Sequence, residues 1–228
     1  MGHGVELEQI SAVARAALSR NLTYLSQKRL LKIERSLEQL DRDGVKGDFC
    51  EFGVALGGSA IVIASRLAPT RSFHGFDVFE MIPPPGDKDD HLSKARYATI
   101  ASGQSPGIGG EVYYGYREDL YKQVVRNIVS FGLKVDGKKI CLHRGKFENT
   151  FDEYLPLSLA FAHIDCDWYE SVKFCLERAH QRLSSGGIII VDDYNDWVGC
   201  RRATDEFLAR HRNATLLEDR CSAIIRRN

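Results

Sequence analysis

No run in the 228 residues approaches the roughly 20 consecutive apolar residues that a membrane-spanning helix needs, and Met1 to Ser19 lacks the apolar core of a signal peptide. A cytoplasmic protein with no membrane partner is the expectation. Surplus charge is missing too, since 31 Lys and Arg balance 31 Asp and Glu, and no basic face is offered to nucleic acid or anionic lipid. A neutral small molecule suits this balance better. Cys50, Cys141, Cys166, Cys175, Cys200 and Cys221 include no Cys-x-x-Cys pair. Several lie in apolar strand-like or helix-like patterns, where a free thiol behaves as a small hydrophobe, which points to a reducing compartment. Internal repeats and low-complexity tracts are absent. With 43% hydrophobic and 27% charged residues, residues 1–228 suffice for one sizeable core and are short for two, so one domain is expected.

The chain is organised around Ala162 to Tyr194. Two strand-like runs, Leu157 to Ile164 and Gly187 to Val191, end in acids: Asp165 and Asp167 after the first, Asp192 and Asp193 after the second. Between them Val172, Leu176, Ala179 and Leu183 recur at helical spacing over Tyr169 to Leu183, and Gly186-Gly187 is expected to stop that helix. Strand, helix, strand is a parallel crossover unit, which puts both carboxyl ends on one edge. Strands about 4.8 Å apart would bring Asp165 within reach of Asp192 and Asp193. Three crowded carboxylates repel one another, so a cation holds them, one takes up a proton, or they splay into water. Acids at strand ends can also simply cap the next helix. Ligands of open α/β sheets bind outside the carboxyl ends of the strands, so this edge is the candidate active site.

In chain order, helices are expected over Val5 to Ser19 and Ser26 to Leu40, where Leu30, Ile33, Leu37 and Leu40 form an apolar stripe. Asp48 to Gly53 reads as the first strand, followed by the bend Gly53-Val54-Ala55-Leu56-Gly57-Gly58-Ser59 and a helix over Ala60 to Leu67. The bend has neither the dinucleotide Gly-x-Gly-x-x-Gly nor the phosphate-binding Gly-x-x-x-x-Gly-Lys. Glycines there serve either a structural turn or a ligand that approaches the backbone. A second strand, Ser72 to Phe76, ends in Asp77, placed to accept from ribose hydroxyls. Glu51, Gly53 and Asp77 together suggest a nucleoside-containing cofactor.

Four of the six prolines and six glycines fall within residues 82–118, which reads as an irregular insertion with a short helix over His91 to Ala101. Between Tyr97 and Tyr121 lie five of the nine tyrosines, either facing a ring-shaped substrate or tacking the loop to the core. A helix over Asp119 to Phe131, a strand over Lys139 to His143 and a helix over Val198 to Arg210 follow. A closing hairpin is expected from Ala214 to Leu217 and Cys221 to Ile225.

The blocks Glu51-Phe-Gly-Val-Ala-Leu-Gly-Gly-Ser59, Gly75-Phe-Asp-Val-Phe-Glu80, Gly145-Lys-Phe147, Ile164-Asp-Cys-Asp-Trp-Tyr-Glu-Ser171 and Val191-Asp-Asp-Tyr194 through Gly199-Cys-Arg-Arg-Ala203 resemble the macrocin O-methyltransferase family. The resemblance runs from about Tyr24 to Leu208. It implies the α/β class I methyltransferase fold, a Rossmann-like, mostly parallel seven-stranded sheet with helices on both faces and a terminal antiparallel hairpin, to which the residue pattern adds extra N-terminal helices over residues 1–45 and a lid insertion over residues 82–118. It also implies methyl transfer from S-adenosylmethionine to a hydroxyl of a sugar or glycosylated natural product, with Mg²⁺. On the match, Glu51, Gly53, Ala55, Gly57, Gly58, Ser59, Asp77, Gly145 and Phe147 would hold S-adenosylmethionine, with Phe147 flanking the adenine. Asp165, Asp192 and Asp193 would bind the metal, and Asp165 would double as base. Relatives suggest a homo-oligomer through the N-terminal helices. Trp168 stands where the family has a smaller aliphatic residue, and Met81 to Gly115 matches nothing specific.

An unperturbed Asp, with a pKa near 4, is a poor base for a sugar hydroxyl, and a divalent ion closes that gap. His163, two residues before Asp165 on the same face of a regular strand, is the rival base or else a buried core residue. A phenol or catechol is the alternative acceptor. A nicotinamide-dependent oxidoreductase and an inactive binding relative are the readings from other classes.

Overall fold

The computed structural model describes residues 9–153 and 158–228. Two helices come first, α1 (Ala12–Ser19) and α2 (Gln27–Arg42), each opened by a serine whose hydroxyl accepts a first-turn amide, Ser11 from Ala14 and Ser26 from Arg29. Ser11 fixes the start of α1, later than the Val5 of the sequence reading, and residues 5–8 of that reading lie outside the described residues. The stripe Leu30, Ile33, Leu37 and Leu40 is buried as its spacing required.

Five parallel strands follow: β1 (Asp48–Phe52), β2 (Phe73–Asp77), β3 (Ile140–Arg144), β4 (Leu159–Ile164) and β5 (Leu183–Val191). The antiparallel pair β6 (Ala214–Glu218) and β7 (Ala223–Arg227) closes the seven-stranded sheet in the order β3-β2-β1-β4-β5-β7-β6. Between the strands run α3 (Gly58–Ala64), α4 (His91–Ala101), α5 (Leu120–Val129), α6 (Phe147–Thr150), α7 (Tyr169–Arg182) and α8 (Val198–Arg210). Leu157, the expected start of β4, lies outside the described residues.

Alternation along the strands sends side chains to two separate cores. Phe49, Phe73, Phe161 and Ile190 pack with α2, α3 and α5 on one face, while Cys50, Phe52, Phe76, Ile164 and Val191 pack with α7 and α8 on the other. Each such fully buried apolar side chain contributes about 1.5–3 kcal/mol. Both faces of the parallel strands are therefore covered, which explains their nearly unbroken apolar runs.

The order places β4 directly beside β5, with Ile164 opposite Val191. The crossover helix stops earlier than Gly186-Gly187, because Leu183 already has extended backbone and pairs with Leu159. Gly186, at φ +79°, sits in the irregular stretch where β5 shifts register between Leu159 and Phe161. Among the described residues no helix is long and apolar enough to cross a membrane. All six cysteines are free thiols, and only Cys221 is exposed.

Candidate active site

The carboxyl ends of β1, β2, β4 and β5 open onto a cleft with two lobes of about 320 and 220 Å³, which share Gly53, Asp77, Tyr114, Asp165 and Asp167. The first lobe is acidic at its floor. Asp165 continues β4, and Asp192 and Asp193 continue β5 as a 3-10 turn spanning Asp192–Asn195. One oxygen from each of these three carboxylates lies within 4.8 Å of the others. Burial, then the negative charge of its neighbours, drives the pKa of Asp165 and of Asp193 well above the carboxylate range.

Only part of this charge is answered within the chain. Arg29, on α2, pairs with Asp192 at 2.6 Å and with Asp196. Beneath the acids, Glu51 and His163 are direct cross-strand neighbours of β1 and β4, joined by a 2.8 Å bond between Glu51 Oε1 and His163 Nδ1. Burial disfavours a charged His163, yet Asp192 and Glu51 outweigh it and lift its pKa to about 10. Its Nε2 stands 3.8 Å from Asp192 Oδ1, an ion-pair separation too long for a hydrogen bond. Asp192 Oδ1 is consequently buried with no hydrogen-bond partner. The charged His163 answers this oxygen at ion-pair distance only, which leaves a buried acceptor without a hydrogen bond among the described residues that a bound cation would meet. Octahedral Mg²⁺ at about 2.1 Å from each ligand sets adjacent oxygens about 3 Å apart, so the three carboxylates fit a hard divalent ion.

Asp167 is the residue whose part the sequence reading left unassigned. It adopts a left-handed backbone, φ +58°, which turns its carboxylate into both lobes, and Trp197 Nε1 donates to its Oδ1 at 2.7 Å. Burial raises its pKa to about 6. The Asp-x-Asp spacing after a buried strand was the available signal. His163, the rival base, is completely buried and lines neither lobe.

The residues expected around the cofactor divide into two groups. Gly53, Ala55, Asp77 and Phe147 line the cleft. Glu51, Gly57, Gly58, Ser59 and Gly145 stand behind its wall. Asp77 Oδ2 accepts from the amides of Val54 and Ala55 at 2.7 and 2.9 Å, and Oδ1 from Phe79 at 2.6 Å, so its first task is to brace the bend. Gly58 donates its amide to Leu22 O at 2.9 Å, and a Cβ there would meet that oxygen at 2.4 Å. The opening of α3 therefore presses against the N-terminal segment at Leu22. At Gly53, φ +89°, a Cβ would fall 1.8 Å from Asp165 O, so glycine alone lets β1 and β4 end this close.

The tyrosines between Tyr97 and Tyr121 serve both the cleft and the core. Tyr113 and Tyr114 line the first lobe together with Tyr24, Arg96, Trp168 and Trp197. Tyr116 instead donates to Ile100 O at 2.6 Å, and Tyr121 packs edge-on against Phe79 at 5.1 Å. Trp168 and Trp197 meet edge to face at 5.4 Å, and Trp168 Nε1 reaches Pro83 O.

The family model described as Macrocin-O-methyltransferase (TylF) matches residues 9–220. The chain belongs to the macrocin O-methyltransferase family. It is similar to mycinamicin III 3''-O-methyltransferase of Micromonospora griseorubida, 30% identical over 83% of this chain and 71% of that one. It matches the 8-demethyl-8-(2,3-dimethoxy-alpha-L-rhamnosyl)-tetracenomycin-C 4'-O-methyltransferase of Streptomyces olivaceus at 30% identity over 83% of this chain and 68% of the relative. Among solved structures the O-methyltransferase NovP superposes with a TM-score of 0.75 and 26% identity, over 91% of this chain and 82% of NovP. Family and fold agree: this is an O-methyltransferase with the class I methyltransferase architecture.

Proposed function

We propose that the protein methylates a hydroxyl of a sugar or glycosylated natural product, with S-adenosylmethionine as donor and a divalent ion, Mg²⁺, held by Asp165, Asp192 and Asp193. The observation that carries the metal reading is the orphaned Asp192 Oδ1 inside a cluster of three mutually repelling carboxylates. When bound, the ion supplies positive charge beside the acceptor hydroxyl and lowers the cost of its deprotonation. The sugar reading is supported by the tetracenomycin relative, whose name describes O-methylation of a rhamnosyl-bearing compound, and the natural-product reading by both relatives. Trp168, Trp197, Tyr24 and Tyr113 would give a sugar ring flat apolar faces.

The donor fits across the shared wall of the two lobes. Phe147, held edge-on by Phe52 at 5.5 Å, offers a face to the adenine in the smaller lobe. Asp77 has about four acceptor positions, three of them spent on backbone amides, which leaves one for a ribose hydroxyl. Gly53 and Asp165 line both lobes, so the donor's sulfonium would lie against their backbone, where positioning and exclusion of water do most of the work.

The proton passes to a carboxylate of this edge. Asp165 is the base that the family resemblance implies. A second reading assigns the proton to Asp167, because its pKa near 6 suits an acceptor working near neutrality and it is outside the three-carboxylate cluster. Asn substitutions separate the two: Asp167→Asn with normal metal affinity and lost turnover assigns the base to Asp167, whereas retained turnover returns it to Asp165.

The overall reading is tested by assaying transfer of labelled methyl from S-adenosylmethionine to a panel of deoxysugar-bearing compounds and catechols, with EDTA or Mg²⁺. Transfer to the sugars that stops in EDTA and returns with Mg²⁺ is expected. Full activity in chelator removes the metal, and transfer to catechols alone reassigns the acceptor.

A further inference from the structure

Away from the cleft, β2 and the edge strand β3 bring together a second set of metal-ligating groups. Parallel register sets His74 opposite Cys141 and Phe76 opposite His143, so alternation turns His74, Cys141 and His143 to one face of the sheet. His74 Nδ1 and His143 Nε2 are 3.0 Å apart, their ring planes lie 7° from parallel with centroids 5.3 Å apart so that the two nitrogens meet nearly head-on, and the thiol joins them with all three ligand atoms within 4.8 Å. Neither lobe of the cleft includes any of the three.

The donor set is as informative as the distances. Two imidazoles and a thiol are borderline and soft ligands, unlike the hard oxygens of the catalytic edge. A tetrahedral zinc ion at about 2.05 Å from nitrogen and 2.3 Å from sulfur separates its nitrogens by about 3.3 Å and nitrogen from sulfur by about 3.6 Å, so the separations are already close and each imidazole must swing by roughly 35° to aim its lone pair at the ion. Burial lowers the pKa of His74 and brings that of His143 to about 4, which keeps both rings neutral, whereas burial and then Asp136 and Asp48 raise that of the Cys141 thiol, so a bound cation must displace its proton. Asp48 lies close enough to act on both His74 and Cys141, adding negative charge to the site.

We propose that His74, Cys141 and His143 form a second cation site, selective for a thiophilic divalent ion such as Zn²⁺, that ties edge strand β3 to β2. On binding, the thiol loses its proton to solvent and a metal–sulfur bond forms. The hydrogen bond between the imidazoles breaks, and the ring that was donating moves its proton to its other nitrogen. The ion then clamps a strand whose only neighbour in the sheet is β2.

Cobalt(II) is the probe, titrated into the full chain in excess Mg²⁺. One equivalent is expected to give a thiolate-to-cobalt charge-transfer band with intense tetrahedral visible bands, and Zn²⁺ to bleach both and raise Tm by about 5 °C. Cys141→Ser should abolish the charge-transfer band, and His74→Gln, which keeps the thiol, should weaken cobalt binding at least tenfold. Cys221→Ser, at the exposed cysteine, and Asp192→Asn, at the oxygen cluster, should both leave the band intact. The second variant keeps this result separate from the fate of the catalytic metal. No band at stoichiometric cobalt, or one that survives Cys141→Ser, overturns the proposal and leaves the two histidines as a hydrogen-bonded packing pair.

Discussion

The glycine bend and the acidic edge face each other across the same cleft, yet they treat their polar groups in opposite ways. In the bend, Val54 and Ala55 donate to Asp77, Gly57 donates to Val54 O, Gly58 to Leu22 O, and Leu56 O accepts from Asn127. At the edge, Asp165, Asp192 and Asp193 crowd together, with Arg29 as the one side-chain partner of Asp192 in hydrogen-bond contact and Asp192 Oδ1 with none. A segment that satisfies itself holds the fold, and a segment left unsatisfied waits for a ligand. Substitutions in the bend should therefore cost stability, and substitutions at the edge should cost chemistry.

The largest effect expected is on turnover. Asp165→Asn should lower methyl transfer about 10³-fold, roughly 4 kcal/mol of lost transition-state stabilisation, while Tm in chelator stays the same or rises because one buried, repelling charge is gone. A variant that loses Tm and turnover together would erase the contrast. Gly53→Ala comes next: a methyl group 1.8 Å from Asp165 O must push β1 and β4 apart, and a loss of about 4 kcal/mol or outright failure to fold is expected in urea titrations. Gly58→Ala, with its Cβ 2.4 Å from Leu22 O, should cost roughly 2–3 kcal/mol and leave the affinity of the folded fraction for S-adenosylhomocysteine unchanged. Weakened binding at full stability would make that glycine part of the ligand site.

The smallest effect concerns pH. Asp167 binds its proton more tightly folded, with a pKa near 6, than unfolded, near 3.9, so the folded state holds more protons between these values. Its contribution to stability is present below about pH 4 and is lost as pH rises to about 6. In chelator, the difference in stability between wild type and Asp167→Asn should change by on the order of 2 kcal/mol between pH 4 and pH 7, favouring the variant at the higher pH. Parallel pH profiles would mean that Asp167 is solvated and that its charge costs the folded edge nothing.

The sheet and the acidic edge were legible in the sequence because both depend on local pattern. Apolar strands ending in acids, with a helical period between, leave little choice but a parallel pair with its carboxylates on one edge, and β4, α7 and β5 form that unit. The helices over His91–Ala101 and Val198–Arg210 match the sequence reading at both ends. Other features depend on contacts distant in sequence. That Asp77 braces the bend requires knowing that its carboxylate reaches back over 22 residues to Ala55. That Arg29 answers Asp192 spans 163 residues, and no periodicity announces it. The early stop of α7 was missed for a related reason: Leu183 continues a helical stripe, but pairing with Leu159 recruits it into the strand. Asp167 shared the acidic burst with Asp165, and only the positive φ that turns it into the cleft distinguishes their positions.

The central claim is that three carboxylates from two neighbouring strands share one divalent ion. Calorimetric titration of Mn²⁺ into the metal-free protein tests it most directly. The account predicts one equivalent bound, with affinity reduced at least a hundredfold in each of Asp165→Asn, Asp192→Asn and Asp193→Asn and preserved in Asp167→Asn. Absence of binding, or binding that Asp192→Asn leaves untouched, would contradict it.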